Sequence, residues 1–521
     1  MGKAFYPPGT PNFEYASYFL ETLKQPGFFG LNGFVKFGEK FGMNILLVNS
    51  NRLKHPWPVI PFGLCSVAAA LEAAGHDVSF LDLCFSKDPD REIRLALSTY
   101  TPELVGVSIR NIDNASGYNT IFLLDQIKAE VINPLKSTFE GPIVIGGSAV
   151  GISGAEMLDF FDLPLAVQGD GERTIVELSA RLEDNLPLNG LGGLIIRQNG
   201  MIVEENPPLP VDDLNALPLI KFDRYLEVRR YRKYNSPLQI QTKRGCALRC
   251  VYCTYNRLEG RVYRFKDPLS VANEVETLVN ETGIRHIEFT DSTFNIPLEH
   301  TKAVLQAVAA KGLKLHCRAL GLNPGAVDEE LVKLMKQVGF QDVDLGAESC
   351  CDQTLQSLGK NFCKEDVLTA GRLLRQANIP TSWFLLLGAP GETEDTLNET
   401  LETVGKAASP WDLVVIGIGI RVYKGAPLAK TLQSTNRDRI NDNFLRPVHF
   451  EPKALDIKTI KWITKRAYHR YPNFLIYNEN SQYPEVILKV TSIVLKSFFP
   501  SQPIWRVYIF VRKILKALGV D

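Results

Sequence analysis

The sequence contains two successive series of short apolar runs, and each run is followed by a segment with helical periodicity. The first series opens with "MNILLVNS" at residues 43–50 and continues through "DVSFLDL", "ELVGVSI", "PIVIGGS" and "LAVQGDGE". Strands that alternate with helices indicate βαβ units and parallel sheets. A chain of 521 residues also exceeds the size of one hydrophobic core. We therefore expect an α/β protein with two sheets, the first in a doubly wound, Rossmann-like domain.

The second series starts at Leu238 with "LQIQTKRG" and has six strand–helix steps, the last strand being "LVVIGIGIRV". Six steps are fewer than the eight of a closed barrel, so a partial (β/α)6 barrel is expected. Asn199-Gly200 predicts a hairpin between the two series. The expected domains are an N-terminal extension (1–42), the Rossmann-like domain (43–185), a connector (186–236), the partial barrel (237–436) and a mainly helical C-terminal substrate or capping domain (437–521).

Composition excludes some classes of function. Lys and Arg total 58, as do Asp and Glu, so the net charge gives no reason to expect nucleic-acid binding. The first residues lack a signal-peptide pattern, and no run of 18 uncharged apolar residues predicts a transmembrane helix. Nine cysteines, an odd count, favour a reducing cytoplasm, where clustered thiols are more often metal ligands than disulfides.

Three of these cysteines, Cys246, Cys250 and Cys253, lie close together in "TKRGCALRCVYCTY". A structural zinc site wants four ligands, whereas three thiolates suit an iron–sulfur cluster with one iron left open. Arg244 and Arg249 flank the cysteines and would offset the negative charge of such a cluster. A zinc knuckle completed by a distant Cys or His, and ordinary core cysteines, remain alternatives. Cys350, Cys351 and Cys363 are interpreted as buried or incidental thiols rather than as ligands of a second cluster.

The C-x3-C-x2-C spacing after the first strand of a β/α barrel resembles the signature of the radical S-adenosylmethionine (SAM) superfamily, and the resemblance spans residues 238–430. It implies that the three cysteines bind a 4Fe-4S cluster and that SAM binds the open iron. The reduced cluster would then cleave SAM to a 5′-deoxyadenosyl radical.

Four further motifs fit this resemblance. "FTDSTFN" stands where the family usually has Gly-Gly-Glu, and "LGAES", "LLLGAPGETEDT" and "IRVYKGAPL" follow later strands. The last of these resembles a motif of the B12-associated branch. The SAM-binding residues implied by the resemblance are Tyr252, Asp291, Ser292, Glu348 and Gly388.

The first series resembles the cobalamin-binding domain that precedes the barrel in B12-dependent radical SAM enzymes. The matching segments are "PFGL…AAALEAAGHDV", "ELVGVS", "IVIGG" and "GDGERT". The D-x-H-x-x-G motif that supplies an axial histidine elsewhere is absent, so base-off cobalamin is implied, with its lower face open or covered by Arg52, His55 or Trp57. A Rossmann-like domain that has lost the cofactor is the alternative. The implied cobalamin-binding residues are Asn51, Arg52, His55, Ser108, Arg110, Gly146, Gly147, Ser148, Gly169, Gly171 and Glu172.

Together the two resemblances imply a C-methyltransferase that uses a 5′-deoxyadenosyl radical and methylcobalamin on an unactivated carbon of a specialised or lipid-like metabolite. A non-methylating cyclase or rearrangement enzyme and a non-catalytic iron–sulfur or corrinoid sensor are the alternatives. The implied partners are a small-molecule substrate, which a hydrophobic compound would fit, and a reductase or flavodoxin as electron donor.

The C-terminal "IWRVYIFVRKILKALG" predicts an amphipathic helix with a basic face. We favour packing on the open side of the barrel over contact with a membrane surface. The basic residues of this tail are Lys489, Lys496, Arg506, Arg512, Lys513 and Lys516.

Overall fold

The computed structural model describes residues 42–54, 57–435, 444–477, 503 and 505–519, and its first sheet has seven strands in the order β2-β1-β3-β4-β5-β6-β7. Five of them are parallel, and the order reverses between β1 and β3, which is where doubly wound sheets bind ligands. The strands are β1 (Asn44–Asn49), β2 (Asp77–Asp82), β3 (Leu104–Ser108), β4 (Ile143–Gly146), β5 (Leu165–Val167), β6 (Leu194–Gln198) and β7 (Met201–Glu205).

Helices cover both faces of this sheet because the strands are apolar on both faces. Asp88 begins the second helix by accepting a hydrogen bond from the backbone N–H of Arg91, as an N-cap does. The helices are α1 (Phe62–Ala73), α2 (Pro89–Tyr100), α3 (Leu124–Ile127), α4 (Asn133–Thr138), α5 (Ser148–Phe161) and α6 (Gly171–Glu183), with a π-helical turn at Lys128–Ile132.

The predicted hairpin at Asn199-Gly200 is confirmed, since β6 and β7 pair antiparallel around these two residues. β6 also pairs with β5, so the hairpin extends the first sheet instead of standing apart as a connector. The helices that follow, α7 (Phe222–Tyr225) and α8 (Val228–Lys233), pack on the same sheet. The Tyr231 hydroxyl donates a 2.9 Å hydrogen bond to the Asp82 carboxylate.

The second sheet is entirely parallel and has seven strands in the order β18-β15-β14-β13-β12-β11-β8, which confirms the partial barrel. Its strands are β8 (Leu238–Ile240), β11 (His286–Phe289), β12 (His316–Leu322), β13 (Phe340–Glu348), β14 (Thr381–Leu387), β15 (Leu413–Ile418) and β18 (Phe474–Ile476). The other strands form two small antiparallel pairs, β9 (Lys243–Arg244) with β10 (Arg264–Phe265) and β16 (Ile420–Arg421) with β17 (His449–Phe450).

The strand count of six is a correction, because β18 adds a seventh strand from the region expected to be mainly helical. A three-residue strand carries too little periodicity to be seen in a sequence. The described residues from Gly42 onward also form one compact unit. The helices of this half are α9 (Tyr255–Leu258), α10 (Pro268–Thr282), α11 (Leu298–Ala310), α12 (Glu329–Val338), α13 (Asp352–Ser357), α14 (Lys364–Gln376), α15 (Glu394–Ala407), α16 (Pro427–Thr435), α17 (Ile457–Arg470) and α18 (Trp505–Ala517).

The C-terminal helix α18 packs on the barrel, as favoured from its sequence. Ile509 is buried against Leu413 and Val415 of β15. Its basic side chains contact the protein: Arg512 donates to the carbonyl of Phe474, and the Lys513 ammonium lies 3.6 Å from the centre of the Trp411 ring. These contacts lie toward the amino-terminal ends of the strands, so α18 does not cap the carboxyl-terminal edge. Lys489 and Lys496 lie outside the described residues, among which no helix combines the length and apolar character that a bilayer crossing needs.

Candidate functional site

The three clustered cysteines lie in one loop, residues 245–263, which we call the cluster loop. Its neck is the β9–β10 pair. At the start of the loop Gly245 has φ of 99°, and a Cβ there would lie 2.1 Å from the carbonyl oxygen of Val262, so only glycine fits. The backbone N–H of Cys246 donates to the Gly260 carbonyl at 3.0 Å. The loop is therefore fixed by its own backbone before any cofactor binds.

All three thiols are free, so each is available to bind a metal group. In the described part of the chain no group of three or more His, Cys, Asp or Glu side chains is arranged to hold a metal ion. A zinc knuckle needs its ligands to converge on one point, whereas a four-iron cube binds each thiolate at a separate iron. Burial raises the pKa of Cys253 to about 11 and also raises that of Cys250, while Lys360 lowers both.

Lys360 was not predicted, yet it lies beside the cluster loop. Its ammonium donates to the Tyr252 hydroxyl at 2.8 Å and to the Glu348 carboxylate at 3.1 Å, and Tyr252 donates to the same carboxylate at 2.9 Å. Burial opposes the charged form, but Glu348 and Cys250 outweigh it and raise the pKa of Lys360. Glu348 has φ of 58°, a left-handed conformation that non-glycine residues adopt rarely and often at functional sites. Tyr252, Glu348 and Lys360 thus form a polar group next to two thiols.

Replacing Lys360 with methionine should destabilise the fold by about 3–5 kcal/mol, because Glu348 would keep a partly buried charge without its cation. Denaturant unfolding measures this loss. The double variant Lys360→Met/Glu348→Gln should recover most of the stability, and Lys360→Arg should lose little. If Lys360→Met unfolds like the parent protein, the pair has no structural importance.

Asp291 and Ser292, both predicted to bind SAM, form hydrogen bonds to the neck of the cluster loop and its first residue. The Asp291 carboxylate is fully buried and accepts from the N–H groups of Thr242 and Lys243, the Thr242 hydroxyl and the Lys243 ammonium, the last at 2.9 Å. This carboxylate therefore anchors the neck of the cluster loop, and its predicted contact with SAM stays a prediction. The Ser292 hydroxyl donates to the Gly245 carbonyl, which supports the same neck.

Gly388 lies where β14 ends at the carboxyl-terminal edge, with φ of 98°. Its N–H donates to the Glu392 carboxylate at 2.5 Å, and burial raises the pKa of Glu392 to about 7. Gly388 therefore begins a turn that is stabilised by the hydrogen bond from its N–H to the Glu392 carboxylate. Its predicted contact with SAM stays a prediction.

A cavity of about 370 Å³ lies between the carboxyl edge of the first sheet and the barrel. From the barrel side it is lined by Gln241, Arg244 and Thr290, and by Tyr255, two residues after Cys253. It therefore extends from the switch point of the first sheet to the cluster loop. Nine of the eleven predicted cobalamin contacts line it: Asn51, Ser108, Arg110, Gly146, Gly147, Ser148, Gly169, Gly171 and Glu172.

The cavity wall offers exposed backbone and polar side chains to a ligand. Seven of its residues are glycines, and a Cβ on Gly147 would lie 2.6 Å from the Ile109 carbonyl oxygen, so the backbone itself forms the wall. A Cβ on Gly146 would instead enter the cavity, with its nearest neighbour 3.8 Å away. The Asn51 Nδ2 is buried without a hydrogen-bond partner in the described part of the chain, which leaves it free to donate to a bound ligand.

The remaining predicted contacts behave differently. Arg52 pairs with Glu130 and donates to the Ser86 carbonyl, so it is turned toward a smaller neighbouring pocket. His55 lies outside the described residues. The centre of the Trp57 ring lies 4.8 Å from the guanidinium carbon of Arg318, so Trp57 contacts a residue of the second sheet. The structure thus gives no support to Arg52 as the residue covering the lower face of the cofactor.

The interior of the barrel is polar. Alternate strand residues face the interior, and there Arg318 forms ion pairs with Glu288, with Asp342 at 2.9 Å and with Asp344 at 2.9 Å. Burial raises the pKa of Asp344 to about 6 from its ordinary 3.8; Arg318 opposes this rise, while Asp342 and Glu288 add to it. The single Arg318 guanidinium therefore pairs with three carboxylates.

Asp344→Asn should change how stability depends on pH. Because the folded-state pKa of Asp344 lies above its ordinary value, the contribution of Asp344 to wild-type stability is lost as the pH rises from about 4 to about 6, whereas asparagine does not titrate. The stability of the variant relative to wild type should therefore increase across this window, by up to about 2–3 kcal/mol, and stay constant above it. Urea unfolding at several pH values measures the difference, and a pH-independent difference would contradict the assignment.

Comparisons with known proteins match both halves. The sequence model of the B12 binding domain matches residues 53–179, and that of the radical SAM superfamily matches residues 240–404. Together the two models cover more than half of the chain. The chain therefore belongs to the radical SAM superfamily, and it carries a B12-binding domain ahead of its radical SAM domain.

Two curated relatives align with most of this chain. The tryptophan 2-C-methyltransferase of Streptomyces laurentii is 25% identical over 74% of this chain and 74% of its own length. The anaerobic magnesium-protoporphyrin IX monomethyl ester cyclase of Rubrivivax gelatinosus is 23% identical over 85% of this chain and 79% of its own.

The methyltransferase TsrM from Kitasatospora setae, solved with tryptophan and a SAM analogue, aligns with a TM-score of 0.68 at 25% identity, covering 75% of this chain and 76% of that one. Its structure with cobalamin and a 4Fe-4S cluster aligns with a TM-score of 0.77 at 20% identity, covering 92% of this chain and all of that one.

Proposed function

We propose that this chain is a cobalamin-dependent radical SAM methyltransferase that transfers a methyl group to carbon. The observation that carries the proposal is the cavity that joins the switch point of the first sheet to the cluster loop. When bound, the cluster and SAM supply a carbon-centred radical and cobalamin supplies a methyl group. Two cofactors that act on one substrate must be held close together, and a single cavity that reaches both domains provides this.

The residues assigned to each group follow from the site. Cys246, Cys250 and Cys253 hold the cluster. Tyr252, Glu348 and Lys360 form a polar group beside Cys250 and Cys253, and we assign them to the ends of SAM. The glycine-lined wall with Asn51, Ser108, Arg110 and Ser148 holds cobalamin. The chain thereby positions the reactants and excludes water, which is the contribution that proteins make to cofactor chemistry.

We assign a polar small molecule as substrate rather than a lipid-like one. The interior of the barrel carries Glu288, Arg318, Asp342 and Asp344, and Gln239 and Gln241 line the cavity. An extended hydrocarbon would displace water from these charged and polar groups without offering them a hydrogen bond, at a cost for each. Tryptophan, the substrate in the TsrM structure, is a polar small molecule of this kind.

The electron donor and the cellular location follow as further parts of the proposal. A cytoplasmic reductase or flavodoxin would reach the cluster at Ala247 and Arg249, which are exposed on the cluster loop. Membrane contact through α18 would have to use its exposed apolar residues Phe510, Ile514 and Leu518, because its described basic side chains contact the protein. Vesicle sedimentation with Phe510→Ser tests that contact.

The proposal is tested by iron, sulfide and cobalt analysis of protein purified anaerobically and offered hydroxocobalamin. About four irons and one cobalt per chain are expected for one cube and one corrinoid. Iron without cobalt would support the radical SAM assignment of the barrel but contradict the methyltransferase proposal. Neither metal would leave both cofactor assignments without support.

A further inference from the structure

The two residues of β9, Lys243 and Arg244, are anchored to different parts of the protein. Lys243 pairs with Asp291 beyond β11 of the barrel, and Arg244 reaches the first sheet. Adjacent residues of a strand point to opposite faces, so β9 is held from both sides. Cys246 follows Arg244 after a single residue, and it cannot move far from this anchor.

Arg244 meets the cavity wall of the first domain through a bidentate ion pair. Its two terminal nitrogens donate to the two carboxylate oxygens of Glu172 at 3.1 and 2.6 Å, and it lies 3.3 Å from Asp170. The Ser66 hydroxyl also donates to Glu172 at 2.7 Å. Burial alone would raise the pKa of Glu172, but Arg244 outweighs it and lowers the pKa to about 2.

The other strand of the neck reaches the same wall. Arg264 of β10 pairs with Asp170 and donates to the Val211 carbonyl at 2.7 Å. The side chains of these two arginines and two carboxylates are all 10% exposed or less. Asp170 and Glu172 enclose Gly171, a wall residue of the cavity assigned to cobalamin.

We infer that the Arg244–Glu172 pair is a positioning device that sets the distance and orientation between the cluster loop and the cobalamin wall. The inference rests on the proposed function. Buried ion pairs are often replaceable by apolar residues without loss of stability, so stability alone does not explain this one. A bidentate guanidinium–carboxylate pair does fix geometry, which apolar packing and a lysine do not.

The experiment compares holoenzymes loaded with both cofactors. Arg244→Met/Glu172→Leu removes both charges together and leaves Asp170 with Arg264, so the fold is expected to remain. Because Glu172 also lines the cavity, iron and cobalt are measured first, and the proteins are compared at equal loading of both cofactors. Reduced samples are examined by electron paramagnetic resonance for the magnetic interaction between the reduced cluster and cob(II)alamin. Wild type should give one defined interaction, and the double variant a weakened or broadened one. Formation of S-adenosylhomocysteine should fall about tenfold or more in the double variant, and less in Arg244→Lys.

A matched control is Arg421→Met/Asp113→Leu. This buried pair also joins a loop of the first domain to the barrel, at 2.8 Å, but Arg421 donates to Asp113 and the Phe444 carbonyl rather than to the cluster loop, and neither side chain lines the cavity. It should leave the magnetic interaction unchanged. The inference is overturned if the loaded Arg244→Met/Glu172→Leu protein keeps the wild-type interaction and rate, or if the control changes them equally. Wild type that binds no cobalt would overturn the proposed function itself.

Discussion

Replacing Cys250 with alanine is expected to abolish both cluster binding and SAM cleavage. Only three thiols are available in the cluster loop, and each would bind a separate iron, so the loss of one leaves the cube with two protein ligands. Iron content should fall from about four per chain to below about one, and 5′-deoxyadenosine should become undetectable under strong reductant. Metal analysis and chromatography of the reaction mixture measure the two effects.

Cys363→Ser is the matched control for this experiment. Cys363 is an exposed cysteine that begins helix α14, and serine keeps the N-cap there. The control should retain iron and SAM cleavage. Cleavage that survives in the Cys250→Ala protein would show that the cluster is held by other residues, and the assignment of the site would be wrong.

Replacing Gly146 with leucine is expected to block cobalamin while leaving the cluster in place. A side chain at this position points into the cavity without backbone strain, because its Cβ would meet nothing closer than 3.8 Å. Overfilling a packed site typically costs about 1–3 kcal/mol, so affinity for hydroxocobalamin should fall about tenfold or more. Cobalt and iron content, measured on the same sample, separate the two cofactors.

Gly146→Ala provides the graded control, since one methyl group should be tolerated where a leucine is not. Cobalt binding should therefore decrease from glycine through alanine to leucine while iron stays constant. Equal cobalt loading in all three proteins would place cobalamin elsewhere. Loss of iron together with cobalt would show that the substitution disrupts the fold.

The structural features that were predictable from the sequence are those that depend on local patterns. Alternating strands and helices predicted both sheets, and glycines at strand ends predicted the wall of the cavity. The carboxyl ends of parallel strands meet at one edge, so residues such as Ser108 and Gly146 had to lie together. The strand β18 was missed because three residues carry no periodicity.

The parts that were not predictable depend on contacts between distant residues. Lys360 meets Tyr252 across 108 positions, and Arg244 meets Glu172 across 72. Asp291 has a suitable charge and a suitable place in the sequence, but only the fold shows that its carboxylate is used by Thr242 and Lys243. The pairing of Arg52 with Glu130 was not predictable for the same reason, since Glu130 lies 78 positions away.

The most direct test of the central claim is S-adenosylhomocysteine formation by anaerobic protein that holds both the cluster and cobalamin, under reductant and without added substrate. The same protein loaded with iron but not with cobalamin is the reference. A methyltransferase should form S-adenosylhomocysteine only in the cobalamin-loaded sample, because that product appears when a methyl group leaves SAM. If the loaded protein forms 5′-deoxyadenosine but no S-adenosylhomocysteine, the methyltransferase proposal is wrong and the chain is a non-methylating radical enzyme.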